Sequence, residues 1–247
     1  MTSPLGSAPI SKVLVALRAI CFASVALAFP VSAGLVFGAG VDRHQAADAL
    51  SVVYCVGLIV AVFASLLPLP SLRAWTRAQR VEPVALVFLG MSYATHLSWE
   101  LGWLLLRDAI AASPDAPWAY PWWAYIDGGD ARYAVGDTLL VAMELLSVTN
   151  GTVGAVALVR FLRSGRTSIG ARLALGATAV VHLYSASLYY ASELLEGLPN
   201  VGDGFIAVYI KFGLANALWV IAPLFVFRFV YAGLEGVMRD GRKSWLV

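Results

Sequence analysis

The stretch that decides the fold is residues 128–147, which read Gly-Gly-Asp-Ala-Arg-Tyr-Ala-Val-Gly-Asp-Thr-Leu-Leu-Val-Ala-Met-Glu-Leu-Leu-Ser. Its first part carries Asp130, Arg132 and Asp137 and runs directly into a long apolar segment. That segment places Glu144 where the hydrocarbon core of a bilayer is expected. A carboxyl group at that depth is costly and by default indicates a functional site whose partners lie on neighbouring helices.

Composition agrees with a membrane protein. The chain has 247 residues, of which 60% are hydrophobic and 13% are charged, whereas soluble domains are about half apolar and a quarter charged. The net charge of +2 is too small to indicate nucleic acid as a partner. Cys21 and Cys55 lie in apolar runs, without the spacing of a metal site or a disulfide framework.

Apolar runs recur along the whole chain. They cover about 13–40, 47–70, 82–106, 133–160, 170–193 and 205–231, and each is long enough to cross roughly 30 Å of hydrocarbon at about 1.5 Å per residue. A cleaved signal peptide is the alternative for the first run, which is longer than usual for such a segment and lacks a convincing cleavage pattern. The sequence therefore predicts an all-α integral membrane protein, a bundle of six transmembrane helices.

Loop charges predict the orientation of this bundle. Arginine is concentrated in residues 71–81, 160–172 and 239–243, while the alternate connections at 108–131 and 193–204 are acidic or nearly neutral. Because positive loops stay in the cytoplasm, both termini are expected there. The membrane would be the plasma membrane if the source is bacterial and the endoplasmic reticulum if it is eukaryotic.

Polar side chains from four helices fall in one layer of the membrane. At about 1.5 Å per residue they lie roughly 9–18 Å below the outer helix ends, and they are His96, Glu100, Glu144, His182 and Asn216. The alternative is interhelical glue, for which Ser, Thr, Asn or Gln is more usual than two Glu and a His. For His182, a role in a functional site and simple hydrogen bonding between helices are equally favoured. Lys211 is shallow enough for its amine to reach the membrane surface.

Aromatic residues surround this layer: Trp99, Trp103, Tyr133, Tyr184, Tyr189, Tyr190 and Trp219. Such stripes are more often packing than a binding site. However, acids in a low dielectric can stay protonated near neutral pH, and aromatic faces stabilise a cation by about 0.5–2 kcal/mol. Together they suit protonation of an alkene, passage through a carbocation and loss of a different proton.

Two polar or aromatic stretches have simpler explanations. The Trp- and Tyr-rich residues 117–125 are typical of anchors at the membrane interface, with a lid over a pocket as the alternative. Asp130, Arg132 and Asp137 are expected to form an ion-paired, capped helix start, with substrate entry as the second possibility.

Four segments resemble the emopamil-binding protein branch of the EXPERA superfamily, the sterol Δ8–Δ7 isomerases. His96-Leu-Ser-Trp-Glu-Leu-Gly-Trp is similar to the His-x-x-x-Glu-Gly-Trp helix of that family. Gly129-Asp-Ala-Arg-Tyr, followed by Gly136-Asp and Met143-Glu, is similar to its Gly-Asp-Ser-Arg-Tyr segment. The third segment, Leu188-Tyr-Tyr-Ala-Ser-Glu, is similar to the Leu-Tyr-Phe-x-Thr-Glu run of the family. The fourth, Asn216-Ala-Leu-Trp with Pro223, is similar to its Asn-Ala-Leu-Trp signature with a following Pro. The resemblance spans roughly residues 47–240.

This resemblance implies an intramembrane isomerase that adds a proton at C9 of a Δ8 sterol and removes one from C7, without a metal or redox cofactor. The implied proton-transfer residues are His96, Glu100 and Glu144. The resemblance also implies that Asn216 orients a carboxyl group, that Trp219 faces the carbocation and that Ser147 lies near the acid. From the aromatic residues around the polar layer, Tyr133, Tyr184 and Trp103 are also expected to contact the substrate.

The resemblance also predicts the domain organisation: a tail and an additional helix over 1–46, a five-helix EXPERA-like domain over 47–240, and a tail over 241–247. The chain departs from the family pattern in three ways. The first helix is additional, Ala186 replaces an Asp of the animal enzymes, and Lys211 lies where those enzymes are apolar.

The leading prediction is double-bond isomerisation of a sterol or related polycyclic terpenoid, with cationic amphiphilic amines as inhibitors. One alternative is a non-catalytic lipid-binding protein like the sigma-2 receptor, although binding a neutral lipid needs no acids. A second is a proton-coupled transporter, against which the sequence shows no inverted repeat. A homodimer is left open.

Overall fold

The computed structural model describes residues 11–244, with side chains as far as Arg239. Residues 1–10 of the predicted N-terminal tail and 245–247 of the C-terminal tail lie outside this range. Within it the protein is all-helical, as predicted, and contains no strand.

The helices are α1 (Lys12–Ala39), α2 (Arg43–Phe63), α3 (Arg77–Thr95), α4 (Leu101–Ala111), α5 (Tyr120–Ile126), α6 (Arg132–Val135), α7 (Thr138–Arg163), α8 (Ile169–Glu196) and α9 (Ala215–Ser244). Two π-helical segments are continuous with these helices. His96–Glu100 connects α3 to α4, and Ile206–Leu214 directly precedes α9.

Five helical stretches of the described chain are long and apolar enough to cross a membrane: Lys12–Ala39, Arg43–Leu66, Thr138–Arg163, Ile169–Glu196 and Ile206–Arg239. The chain is therefore a multi-pass membrane protein, but the predicted count of six is not confirmed. The predicted third span is helical from Arg77 to Ala111. It is less apolar because its middle carries Ser92, Thr95, His96, Ser98 and Glu100.

The predicted fourth run begins later than expected. Gly136 ends α6 in the left-handed region at φ 64°, and the Asp137 side chain then caps α7 by accepting a hydrogen bond from the Leu140 N–H at 3.0 Å. Tyr133 thus lies on a separate short helix. The predicted run 133–160 placed Tyr133 at the start of the helix that carries Glu144. The break at Gly136 instead allows the Tyr133 side chain to contact Glu144.

Helix α1 packs along α2. Phe29 contacts the ring of Tyr54 edge-on, and the Ser32 hydroxyl lies 2.6 Å from that of Tyr120 in α5. Helix α2 begins at Arg43, four residues before the predicted start of the five-helix domain. The domain division remains a prediction.

Small residues bring α7 close to α3. A Cβ at Gly151 would lie 2.7 Å from the Cβ of His96, and one at Gly154 would overlap the ring of Tyr93. That ring is buried, and its hydroxyl lies 2.6 Å from the Thr178 hydroxyl of α8. Close backbone approach through small residues is a common way for membrane helices to pack, and here it sets the position of His96.

We expect Gly154→Ala to lower the thermal stability of the purified protein, because the added methyl group overlaps a side chain that is held on its far side. Overpacking of this kind costs about 1–3 kcal/mol. Gly34→Ala is the matched control, since a Cβ there meets nothing within 4 Å. Melting temperatures in detergent should fall for the first variant only; equal stability would contradict the tight α3–α7 contact.

Candidate functional site

Two adjoining cavities lie among the helices. The smaller chamber, of about 80 Å³, contains the acids and histidines of the predicted layer. The larger chamber, of about 470 Å³, is mostly apolar and aromatic. Glu100, Tyr133, Asn216 and Trp219 line both. They form the boundary at which a ligand in the larger chamber would meet the polar groups of the smaller one.

The π-helical segment His96–Glu100 positions the first acid. His96 Nδ1 lies 2.5 Å from Glu100 Oε2, and both side chains are buried. A π-helical turn inserts extra backbone into an α-helix and occurs frequently at functional sites. Here it places the imidazole and the carboxyl group four residues apart on one face, as the sequence spacing predicted.

Three polar atoms extend this pair to α8 and α9. His96 Nε2 lies 2.9 Å from His182 Nε2, and Ser92 Oγ lies 3.0 Å from the first nitrogen and 3.1 Å from the second. The indole N–H of Trp219 donates to the same serine oxygen at 2.8 Å. His182 is therefore part of the polar cluster rather than an isolated buried side chain.

This chain of contacts is compatible with two proton arrangements. If Glu100 is ionised, His96 donates from Nδ1 and its Nε2 accepts from His182 or Ser92. If Glu100 carries a proton, it can donate to Nδ1, and Nε2 then donates onward. Because each arrangement satisfies the same contacts, a proton can move along Glu100, His96 and His182 without a change of side-chain position.

Glu144 lies in the same chamber with one oxygen engaged. The Tyr133 hydroxyl donates to its Oε1, while its Oε2 is buried and has no hydrogen-bond partner among the described residues. An unsatisfied buried carboxyl oxygen costs free energy. Glu144 also interacts directly with the carboxyl group of Glu100, in a chamber large enough for a few water molecules. The oxygen can therefore share a proton with Glu100 or bind a water molecule.

A buried ion-pair cluster holds Tyr133 in place. Its neighbour Arg132 lies 2.7 Å from Asp130 and 3.0 Å from Glu193 of α8. Burial alone would lower the pKa of Arg132, but the hydrogen bond and charge of Asp130, together with the charge of Glu193, raise it above its ordinary value. The expected ion-paired, capped helix start is thus present, and it also ties α6 to α8.

Asn216 has different partners from those expected. Its side-chain amide donates to the Tyr125 hydroxyl at 3.1 Å and to the Phe212 carbonyl at 2.8 Å, not to a carboxyl group. The Tyr125 hydroxyl lies 2.7 Å from that of Tyr189. Asn216 therefore orients a pair of tyrosines at the chamber boundary.

The larger chamber has walls from α1, α2, α5 and the π-helical segments, including Phe29, Tyr54 and Trp99. Lys211 also lines it and is only 2% exposed. The expectation that its amine reaches the membrane surface is therefore wrong. The π-helical turns of Ile206–Leu214 shift the register of the helix, so that Lys211 and Asn216 face the same chamber.

The structure brings most of the predicted site residues together. His96, Glu100, Glu144, Ser147, Tyr133, Asn216 and Trp219 line the smaller chamber. Trp103 is fully buried behind Tyr133, where its indole N–H donates to the Tyr133 carbonyl at 3.0 Å. Tyr184 lies on the outer face of α8 with 63% of its surface exposed, away from both chambers.

The aromatic stretch 117–125 forms a wall rather than a set of surface anchors. Tyr120 is buried, Trp122 donates to the Trp99 carbonyl at 3.0 Å, and Tyr125 lines the larger chamber. Trp118, by contrast, is 47% exposed. The lid interpretation, which the sequence analysis ranked second, is closer to this arrangement.

Three polar residues of the site were not singled out from the sequence. Ser92 lies four residues before His96, a spacing that could have revealed it. Asn150 lines the smaller chamber and donates to the Thr178 carbonyl at 3.1 Å. Tyr125 could not be placed, because only the packing of α5 brings it to the boundary.

Comparison with known proteins supports one family. No protein-family model matches the chain. It is 28% identical over 142 residues to the 3-beta-hydroxysteroid-Delta(8),Delta(7)-isomerase of Mus musculus, covering 57% of this chain and 60% of that protein. It is 26% identical over 192 residues to the protein of the same name from Cavia porcellus, covering 73% and 79%.

The aligned part is thus less than two thirds of the mouse protein's length and more than two thirds of the guinea-pig protein's. These similarities support the resemblance that the four sequence segments indicated, to the emopamil-binding protein or sterol Δ8–Δ7 isomerase family.

Proposed function

We propose that the protein is an intramembrane isomerase that shifts a double bond of the Δ8 to Δ7 type in a sterol or related polycyclic terpenoid. One group protonates the alkene, the resulting carbocation forms against Trp219, and a second group removes a proton from a neighbouring carbon. The name of the two relatives supports a 3β-hydroxysteroid as the substrate class.

The observation that carries this proposal is the position of Glu144, whose buried Oε2 receives no hydrogen bond from the described residues, in the chamber that also contains the His96–Glu100 pair. A reaction that adds one proton and removes another needs both a donor and an acceptor near the same carbon atoms. Two carboxyl groups that face one small chamber cannot both be charged without cost. Such a pair holds its protons jointly, so donor and acceptor are assigned to the pair rather than to one residue.

Chamber sizes support the same chemistry. The larger chamber, at about 470 Å³, lies within the range of roughly 300–1,000 Å³ that small-molecule sites occupy. The smaller one admits only water-sized groups. A polycyclic ligand would therefore stay in the apolar chamber and present its double bond at the boundary formed by Glu100, Tyr133, Asn216 and Trp219.

A non-catalytic sterol-binding protein is the second candidate. Its site would need the larger chamber, but it would have no use for two buried acids and two histidines at one end of it. The relatives' names also favour an isomerase. For the membrane arrangement we keep the positive-inside prediction: both termini cytoplasmic, and the acidic connections on the opposite side.

We expect Glu144→Gln to abolish turnover while the steroid still binds, because the amide keeps the shape of the side chain but cannot exchange the proton. Incubation with a Δ8 sterol in deuterated water, followed by mass spectrometry, should give a Δ7 product with one new deuterium for the wild type only. Glu196→Gln, at the exposed end of α8, should behave like wild type. Full activity of Glu144→Gln would remove this residue from the mechanism.

Tyr133→Phe should lower the rate without preventing folding, since the ring still packs between Trp99 and Trp103 but no longer donates to Glu144. A hydrogen bond of about 1–2 kcal/mol corresponds to a rate loss of about tenfold. Tyr209→Phe, on an exposed side chain, is the control for loss of a hydroxyl. Equal single-turnover rates for Tyr133→Phe and wild type would show that the hydroxyl does not assist the acid.

Cationic amphiphilic amines should inhibit, because an ammonium resembles the carbocation in front of Trp219. Trp219→Leu should weaken their binding by about 2- to 30-fold, the range that corresponds to a cation–aromatic contact. Trp118→Leu removes an exposed indole and serves as the control in the same inhibition assay. Unchanged inhibition of Trp219→Leu would contradict this role of the indole.

A further inference from the structure

Lys211 is a feature of the larger chamber that the proposed chemistry does not use. A buried ammonium in an apolar chamber is costly unless it is paired. Its Nζ lies 2.8 Å from Asp48 Oδ1 of α2 and donates to the Asp127 carbonyl at 2.6 Å. These contacts come from two different elements, so the amine is fixed at the chamber wall.

The amine has a donor to spare. A lysine ammonium carries three N–H donors and no acceptor, and the described residues give it two partners. An unmet charged donor at the wall of an apolar chamber is a strong position for an oxygen acceptor, because hydrogen bonds to charged groups are stronger than neutral ones.

The surrounding charges select the kind of oxygen. Asp127 also pairs with Arg43 at 2.6 Å, and Arg43 pairs with Asp115 at 3.0 Å. Lys211 reaches this group only through the Asp127 backbone carbonyl and has its own carboxylate partner, Asp48. Because each of the two cations already faces a carboxylate, no excess positive charge is left for an anionic ligand group, and an uncharged hydroxyl or ketone is favoured.

The spacing along the helix sets where that oxygen lies on the ligand. Lys211 is five residues before Asn216 at the boundary. Since most of this interval is π-helical and hydrogen bonds of a π-helix join residues five apart, the two side chains lie about one turn apart on one face, on the order of 5 Å along the axis. In a fused-ring terpenoid, a distance of this size separates an oxygen on one ring from a double bond in the next ring. The ligand would therefore span the chamber with its oxygen at Lys211 and its alkene at Glu100 and Glu144.

We propose that Lys211 binds an uncharged ring oxygen, a hydroxyl or a ketone, at the end of the substrate away from the reacting double bond. This contact sets which carbon atoms reach the acids and makes Lys211 a specificity-determining residue. The inference rests on the proposed function for the identity of the ligand, but its test measures binding separately from turnover.

The test uses four matched ligands: a Δ8 steroid with a 3β-hydroxyl, its 3-ketone, its 3-deoxy analogue and its 3-sulfate. Binding to the full-length protein is followed by the change in tryptophan fluorescence, since Trp99 and Trp219 line the larger chamber. The wild type should bind the hydroxyl and ketone forms about tenfold to a hundredfold more tightly than the deoxy form. The sulfate should bind no better than the deoxy form.

Lys211→Met keeps the length of the side chain and removes the charge. Asp48 is 44% exposed, so water can solvate it in this variant. The preference for an oxygen-bearing ring should disappear, while affinity for the deoxy analogue stays unchanged. Lys12→Met, at an exposed position near the start of α1, is the control that should keep the preference.

The outcomes separate the two proposals. If wild type binds the hydroxyl and deoxy steroids equally well, or if Lys211→Met keeps the preference, the role of Lys211 is overturned whatever the turnover shows. Even if the variant fails to fold, equal binding of the hydroxyl and deoxy steroids by the wild type would still overturn the role of Lys211. If no steroid of the series binds or reacts, the substrate class in the proposed function fails as well.

Discussion

The site depends on one hydrogen bond, between His96 Nδ1 and Glu100 Oε2 at 2.5 Å. It is formed within a single helix, and the π-helical turn at His96–Glu100 presents both groups to the interior of the bundle. Gly151 of α7 allows the backbone to approach the Cβ of His96, and His182 of α8 meets the other side of the imidazole. Three helices are thus arranged around one protonatable pair.

The second acid is held by a different kind of constraint. Glu144 lies on α7, but its position depends on Tyr133, which lies on a separate short helix fixed by the Arg132–Asp130 and Arg132–Glu193 ion pairs. The buried ion-pair cluster of Arg132 is therefore connected to Glu144 through the tyrosine hydroxyl. Because Tyr133 engages only one oxygen of Glu144, the other oxygen faces Glu100 and the small chamber.

Sequence reasoning predicted the members of the site better than their contacts. The spacing of His96 and Glu100 on one helix and the depth of Glu144 depend only on helical geometry, and the structure brings these residues to one chamber. Where the helix was interrupted, the predictions failed. The break at Gly136 brings Tyr133 to Glu144. The π-helical turns before α9 bury Lys211, for which the shallow depth alone predicted an amine at the membrane surface. Tyr184 was assigned by depth alone, and depth does not tell which side of a helix faces inward.

By the sequence resemblance, α1 is additional to a five-helix domain. However, its Phe29 forms part of the wall of the larger chamber, and its Ser32 contacts Tyr120 of α5. A protein without this helix must close the same compartment with other groups or leave it open to lipid. Ligand preferences of a protein that lacks this helix therefore do not transfer directly to this chain. Removing the helix in order to obtain a minimal version would change the shape of the binding compartment itself.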